Sequence, residues 1–545
     1  MNSLLIAVGS LIIFALAYRF YGNRLSRLWE VNPNNRTPAH RKNDGVDFVP
    51  ARHWSILFGH HFSSIAGAGP IIGPVIACAL FGWFPALLWI ILGSIFLGGV
   101  HDFSALMASL REEGGSIAQI SKTTLGYAVK IVFAIFLFLS LVLVIAVFAA
   151  VGGKTLAVEP RVVLPTFGLI LVAFLIGIML YRWHINQVVC TLLGVTLLFT
   201  LILLGYYFPI TIGPKAQTIW TIVLLVYAFI ASVLPVNLLL QPRDYLATFI
   251  LFFGLFFGYL GILLTHPSMH TPAFLSWSSE KGNLWPMLFV LIACGALSGF
   301  HSLIASGTTS KQLSNEKEAQ RIAYGGMLLE GVLAVLALIA VCAGLYWNNP
   351  SYSSLIYPQL IKEKGWIVAF GKGYAEITKP LFGGLGVLIA VTTLKTFVMT
   401  TLDSATRICR YIGEELLQET KISCNRYIVS FLIILLATYL ALGNWRLLWP
   451  AFGASNQLVA ALVLLVITLY LKKRRRKVIF TLLPSGFIFL TTLYALIYQG
   501  GEFFRNRDYL LFSIDLLLFV LALFVLGRGL KMLISTKEKE GRADA

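Results

Sequence analysis

Three histidines stand in two Gly- and Ser-rich runs that interrupt otherwise apolar sequence. The first run is Phe58-Gly-His-His-Phe-Ser-Ser-Ile-Ala-Gly-Ala-Gly-Pro-Ile-Ile-Gly-Pro74; the second is Cys294-Gly-Ala-Leu-Ser-Gly-Phe-His-Ser-Leu-Ile-Ala-Ser-Gly-Thr-Thr309. An imidazole changes charge near neutral pH, so His60, His61 and His301 suit a proton relay or the binding of a carboxylate. Ser63, Ser64, Ser302, Ser306 and Thr308 put hydroxyls beside them. The cluster lacks the carboxylate and the ligand spacing of a zinc enzyme, so neither a metal nor a cofactor is expected.

Other ionisable groups lie inside apolar segments. Glu330 sits in the middle of 320–346. A carboxylate near a bilayer centre costs roughly 2.5–3.5 kcal/mol on insertion scales, so it must face the bundle interior, be paired, or be protonated. Lys395 lies within 380–403, flanking a face on which Thr392, Thr396, Thr400 and Asp403 recur at helical steps. A buried lysine titrates readily, and Lys395 could fill a place that sodium takes in other carriers. Its bland alternative is snorkelling. Glu330, Lys395 and Asp403 are the candidates for proton coupling. Asp102 and the Arg243–Asp244 pair fall at the expected cytoplasmic ends of spans, where gating or loop salt bridges are expected. Asn456 and Gln457 fit interhelical hydrogen bonding or substrate contact equally well.

The elements that position these groups must be broken helices. Gly67, Gly69, Pro70, Gly73 and Pro74 fall within eight residues, and a proline removes a backbone donor and clashes with the preceding turn. In a membrane the freed backbone groups must be satisfied by protein or cavity rather than lipid. Such breaks hold substrates and ions in transporters. A second break is expected near Ser306–Thr308. Gly59-x-His61-x5-Gly67 matches Gly299-x-His301-x5-Gly307 in spacing, and the two lie seven segments apart. An odd separation inverts them, so an inverted repeat is expected. Arg243-Asp-Tyr-Leu246 and Arg507-Asp-Tyr-Leu510 form a second echo at the same separation.

The surroundings are membrane-like. Hydrophobic residues make up 58% of the chain and charged residues 12%, about half the charge of a soluble domain. About fifteen apolar segments (14–16) follow one another between residues 2 and 527. The excess of Lys and Arg falls in alternate loops, above all in Lys472–Lys477. That places the N-terminus outside and the C-terminus in the cytoplasm. The basic net charge therefore reflects membrane loops and not a nucleic-acid partner. The first apolar run has no basic region before it and reads as an uncleaved anchor. The expected organisation is one transmembrane domain over 1–530, with a charged cytoplasmic tail over 531–545 that is expected to lack structure from Ser535 onward. No nucleotide-binding GxxxxGK[ST] run, catalytic pair or sizeable soluble domain points to a pump, enzyme or sensor. What remains is a secondary transporter, or less simply an ion channel.

The run His60-His-Phe-Ser-Ser-Ile-Ala-Gly-Ala-Gly-Pro70 resembles the signature of the carbon starvation protein A (CstA) family. So do Ala17-Tyr-Arg-Phe-Tyr-Gly22, Arg41-Lys-Asn-Asp-Gly-Val-Asp-Phe-Val-Pro50, Pro242-Arg-Asp-Tyr-Leu246, Ser298-Gly-Phe-His-Ser-Leu-Ile-Ala-Ser-Gly-Thr-Thr309, Thr401-Leu-Asp-Ser-Ala-Thr-Arg407 and Leu448-Trp-Pro-Ala-Phe-Gly-Ala-Ser-Asn-Gln457. The matches run in order from about residue 17 to 470, with the spans of 478–527 beyond. The resemblance implies a bacterial cytoplasmic-membrane importer of small peptides or pyruvate, driven by protons and used when preferred carbon is scarce. With the interrupted helices, it implies an all-α architecture of the APC/LeuT-like transporter superfamily. The chain is shorter than long members of the family, mostly before residue 380 and near the C-terminus, which bears on substrate choice. A sodium-coupled carrier of another small carboxylate or amino acid is the competing expectation.

Overall fold

Thirteen helices among the described residues are long and apolar enough to cross a bilayer. The computed structural model describes residues 1–419, 425–443 and 445–541, with side chains for all of these except 445–451 and 535–541. A further apolar helix, Arg426–Leu442, has 17 residues. The segment 286–305 forms two short helices, Leu284–Leu291 and Gly299–Gly307, separated by non-helical backbone. Each of the fifteen apolar segments is therefore mainly helical among the described residues, with 286–305 interrupted over Ile292–Ser298.

Two boundaries differ from expectation. The helix holding Lys395 does not end near residue 403 but runs on to Glu419. The basic stretch that reads as a loop is the buried continuation of that helix, because Arg407 and Arg410 find a partner in Asp47. The last helix runs from Tyr509 to Gly541, through most of the segment expected to lack structure. Its Lys537-Glu-Lys-Glu540 run consists of good helix formers. The end of that tail, 542–545, lies outside the described residues, as does Cys424.

The loops sort onto two faces as the charge alternation requires. On one face Arg476 pairs with Glu30, Arg474 with Glu112, and Arg111 with Glu316. On the other, Asn2 bridges Ser268, and the His270 ring lies 4.6 Å from that of Tyr346. Burial separates a core from a rim. Glu316–Gly344 and Phe452–Lys473 are almost wholly buried, whereas Ser3–Leu28, Gln187–Tyr207 and Tyr509–Ile534 expose most of their apolar surface. An apolar rim facing lipid is the expected packing for a bundle with no soluble domain.

The two broken segments cross the core side by side and antiparallel. His60 lies against Thr308, Pro70 against Gly295, and Gly73 against Leu291, so numbers rise on one as they fall on the other. An inverted relation between the two segments requires that course. The Arg-Asp-Tyr-Leu echo does not extend it. Arg243 and Asp244 are buried, while Arg507 is exposed at a turn before the last helix.

Candidate functional site

The first break is made by one glycine. The helix from Trp54 ends at Ala66, and Gly67 takes φ 48° and ψ −155°, a conformation that a side chain would strain. The helix resumes at Gly69 with Pro70 in its first turn, where the missing N–H costs nothing. Breaking the ladder frees the carbonyls of Ser63 and Ser64. Thr400 and Thr401 donate to them at 2.5 and 2.9 Å, and the hydroxyls of Ser64 and Ser404 lie 2.9 Å apart.

The second break is larger than expected. The helix does stop at Gly307, but the chain is also non-helical from Ile292 to Ser298. Its freed groups are stapled from neighbouring helices. Trp89 and Ser94 donate to the carbonyls of Ile292 and Gly295 at 3.2 and 3.0 Å. Gln457 donates to Phe289 O at 2.5 Å, and Asn456 Oδ1 accepts from Phe300 N at 2.9 Å. Asn456 and Gln457 thus hold the two sides of the break, which is the hydrogen-bonding alternative for this pair. Gly299 allows the approach, since a Cβ there would lie 2.3 Å from Asn456 O. Gly69 packs against Cys294, and Gly307 against Ile408. The hydroxyls of Ser63, Ser302 and Ser306 bond back to their own helices.

Around these breaks the ionisable residues form two groups. In the first, Arg243 forms ion pairs with both Asp244 and Asp403. Tyr227 accepts from Arg243 and donates to Asp403, each at 2.6 Å. Asp244 Oδ2 also lies 2.6 Å from His60 Nδ1, and His60 Nε2 lies 3.2 Å from the Thr308 hydroxyl. A carboxylate only accepts, so His60 Nδ1 carries the proton. Five helical segments converge here, and all these residues except Tyr227 are at most 2% exposed.

The second group takes in the other histidines. Asp102 accepts from His101 Nδ1 at 2.8 Å and from His301 Nδ1 at 2.9 Å. His301 Nε2 lies 3.2 Å from Glu330 Oε2, but off the hydrogen-bond axis. Neither oxygen of Glu330 has a hydrogen-bond donor among the described residues. His61 bonds Thr309 through Nδ1 at 2.8 Å and packs on Gly326, one turn before Glu330. Asp102 therefore sits with the histidines and away from Arg243–Asp244. The two groups touch through consecutive residues, His60–His61 on one segment and Thr308–Thr309 on the other.

Lys395 stands apart from both. It is 1% exposed, so it does not snorkel, and its Nζ has no hydrogen-bond partner among the described residues. It borders a cavity of about 10 Å³ together with Arg243, Thr392, Thr396 and Thr400. Sequence reasoning missed His101, Tyr227 and Thr309 as members of these networks. His101 was legible, as a histidine next to an aspartate in an apolar run. Tyr227 carried no signal, because only the fold brings it to Asp403.

A profile of the family described as "Carbon starvation protein CstA" matches residues 2–359 and 349–495. The chain is 34% identical to the "Peptide transporter CstA" of Campylobacter jejuni, covering 91% of this chain and 80% of that protein. It is 31% identical to the "Peptide transporter CstA" of Bacillus subtilis, covering 99% and 97%. It is also 31% identical to the "Pyruvate/proton symporter BtsT" of Escherichia coli, covering 91% and 81%. Among solved structures, a mutant of the Eremococcus coleocola manganese transporter superposes with a TM-score of 0.55 at 14% identity, covering 90% of this chain and 99% of that one. At that identity the likeness shows the fold alone, the LeuT-like transporter architecture expected from the two broken helices.

Proposed function

The chain belongs to the carbon starvation protein CstA family, and from that premise we propose that it is a secondary transporter importing pyruvate or small peptides with protons. It works in the bacterial cytoplasmic membrane, with the N-terminus outside and the C-terminus inside, when preferred carbon is scarce.

One observation carries the coupling. Glu330 is fully buried with no hydrogen-bond donor among the described residues, and His301 Nε2 stands 3.2 Å from it. An ionised carboxylate in that position is costly, and a proton on either group removes most of the cost. Asp102 holds the His301 ring through Nδ1, leaving Nε2 to receive or deliver the proton. The site is thus built to hold one proton between two groups. His60 and His61, on consecutive positions of the broken helix, link it to the Arg243–Asp244–Asp403 network. Arg243 and Asp244, expected as a gate, close the packing between the first broken segment and the helix carrying Asp403. Motion of that segment would disturb both networks together, which is how binding and protonation would be linked.

Sodium has a weaker claim. The hydroxyls of Thr400 and Thr401 are already donating to the break carbonyls, and Lys395, which has no hydrogen-bond partner among the described residues, would repel a cation nearby. The test is competition on protein reconstituted in liposomes, with labelled pyruvate chased by di- and tripeptides. Saturable uptake displaced by one class and not the other names the substrate. Uptake of neither rejects the reading.

A further inference from the structure

We propose that the small cavity beside the first break is the subsite for the substrate's carboxylate, with Lys395 as its cation and Thr392 as its hydroxyl donor. The proposal rests on the transport reading above and deepens it.

The polar groups around the cavity divide into committed and uncommitted ones. Thr396 donates to Thr392 O at 2.8 Å, and Thr400 to Ser63 O. Arg243 is held by Asp244 and Asp403. Two donors remain. Lys395 Nζ and Thr392 Oγ1 are both buried without a partner among the described residues, three positions apart and so on one helix face. Polar groups this deep are ordinarily paired. What the pair lacks is an acceptor with negative charge and two lone-pair-bearing atoms, and a carboxylate supplies both. One oxygen would take the ammonium and the other the hydroxyl.

A Cβ at Gly152 would lie 3.3 Å from Lys395 Nζ, so the glycine lets the facing helix pack close to the ammonium. The cavity, about 10 Å³, has room for about one water in this conformation. A carboxylate would seat on Lys395 and Thr392 only as the surrounding helices part, so the subsite belongs to an opened conformation. The Ser63 carbonyl of the break lies against the same wall through Thr400, so a ligand seated on Lys395 would reach toward the moving segment.

The experiment is isothermal titration of the full chain in lipid nanodiscs with pyruvate, dialanine and the neutral amide pyruvamide, in chloride-free buffer and again with added chloride. The wild type is expected to bind pyruvate or dialanine and to ignore pyruvamide. Lys395→Met and Thr392→Val should each weaken the carboxylate ligand about tenfold or more, the loss expected for a hydrogen bond to a charged group, while Lys395→Arg retains most of the affinity. Thr392→Val keeps the test open if Lys395→Met does not fold. Unchanged affinity in folded Lys395→Met or Thr392→Val overturns the proposal. So does equal binding of pyruvamide, binding of neither carboxylate, or competition by chloride showing that a halide is the true occupant. Lys395-dependent binding without proton-driven uptake would reject the transport reading and leave the subsite standing. Proton-driven uptake that persists in Lys395→Met would do the reverse.

Discussion

The Nε2 of His301 lies 3.2 Å from Oε2 of Glu330, with both side chains fully buried and on different segments of the bundle. His301 comes from the second broken segment and Glu330 from the helix that follows it. A rearrangement of the broken segment would change their separation, and with it the cost of leaving the pair unprotonated.

Glu330→Gln keeps the volume and removes the exchangeable proton. We predict that the variant folds and inserts but loses uphill uptake, by about a hundredfold or more at a removed catalytic-type proton site. Lys395→Met should also abolish uphill uptake, but by losing the substrate. Flux measured in liposomes under an imposed pH gradient checks both. Full activity in both variants would leave these residues with a packing role only.

The Arg243 network predicts a stability pattern. Arg243→Leu strands the carboxylates of Asp244 and Asp403, and removing one partner of a buried ion pair costs about 3–5 kcal/mol. The double variant Arg243→Leu/Asp403→Leu should recover part of that loss. Thermal unfolding in detergent reads both. A double variant no more stable than Arg243→Leu alone would mean that Asp403 is not the partner that matters.

On the face of the basic loops, Asp47 accepts from Arg407 at 2.9 Å and from Tyr411 at 2.6 Å. Burial alone would raise its carboxyl, but Arg407, Arg410 and the Tyr411 hydroxyl overcome burial and hold it below the usual aspartate range. A depressed carboxyl stabilises the fold above its unfolded pKa, and that stability is lost as pH falls through the folded value. Asp47→Asn should therefore cost about 1–3 kcal/mol near neutral pH, less than a fully buried pair because Asp47 is partly exposed. The gap between variant and wild type should close as the pH falls below about 4. A gap that is constant with pH would remove the charge from the explanation.

Orientation has a direct test. Ser353 and Lys473 are both exposed and lie on opposite faces, and the five described cysteines are buried, which keeps background labelling low. An impermeant thiol reagent on intact cells should label Ser353→Cys and spare Lys473→Cys. The opposite pattern would turn the protein over in the membrane.

Much of this fold is legible in the sequence because lipid forces every span to declare itself as an apolar helix. The first break is legible for a local reason: Gly67 and Pro70 dictate the backbone they sit in. The second was placed at its far end. Its main interruption, Ile292–Ser298, contains no proline and depends on Trp89, Ser94, Asn456 and Gln457 from other helices. The membrane carboxylates were legible by their cost, but their partners were not. Asp102 looked like the end of a span, and only the packing of the second broken segment brings His301 to it. Lys395 was legible as a problem, a buried charge, and the structure sharpens that problem by giving it no hydrogen-bond partner among the described residues.

If substrate and proton move together, adding substrate outside must carry protons inward. The most direct measurement follows a pH dye inside liposomes of reconstituted wild-type protein, without sodium and without an imposed gradient, as external substrate is added. Proton-coupled import requires that substrate entry acidifies the lumen, that a protonophore abolishes the signal, and that Glu330→Gln removes it. Saturable substrate entry that leaves the luminal pH unchanged, or that requires sodium, would contradict it.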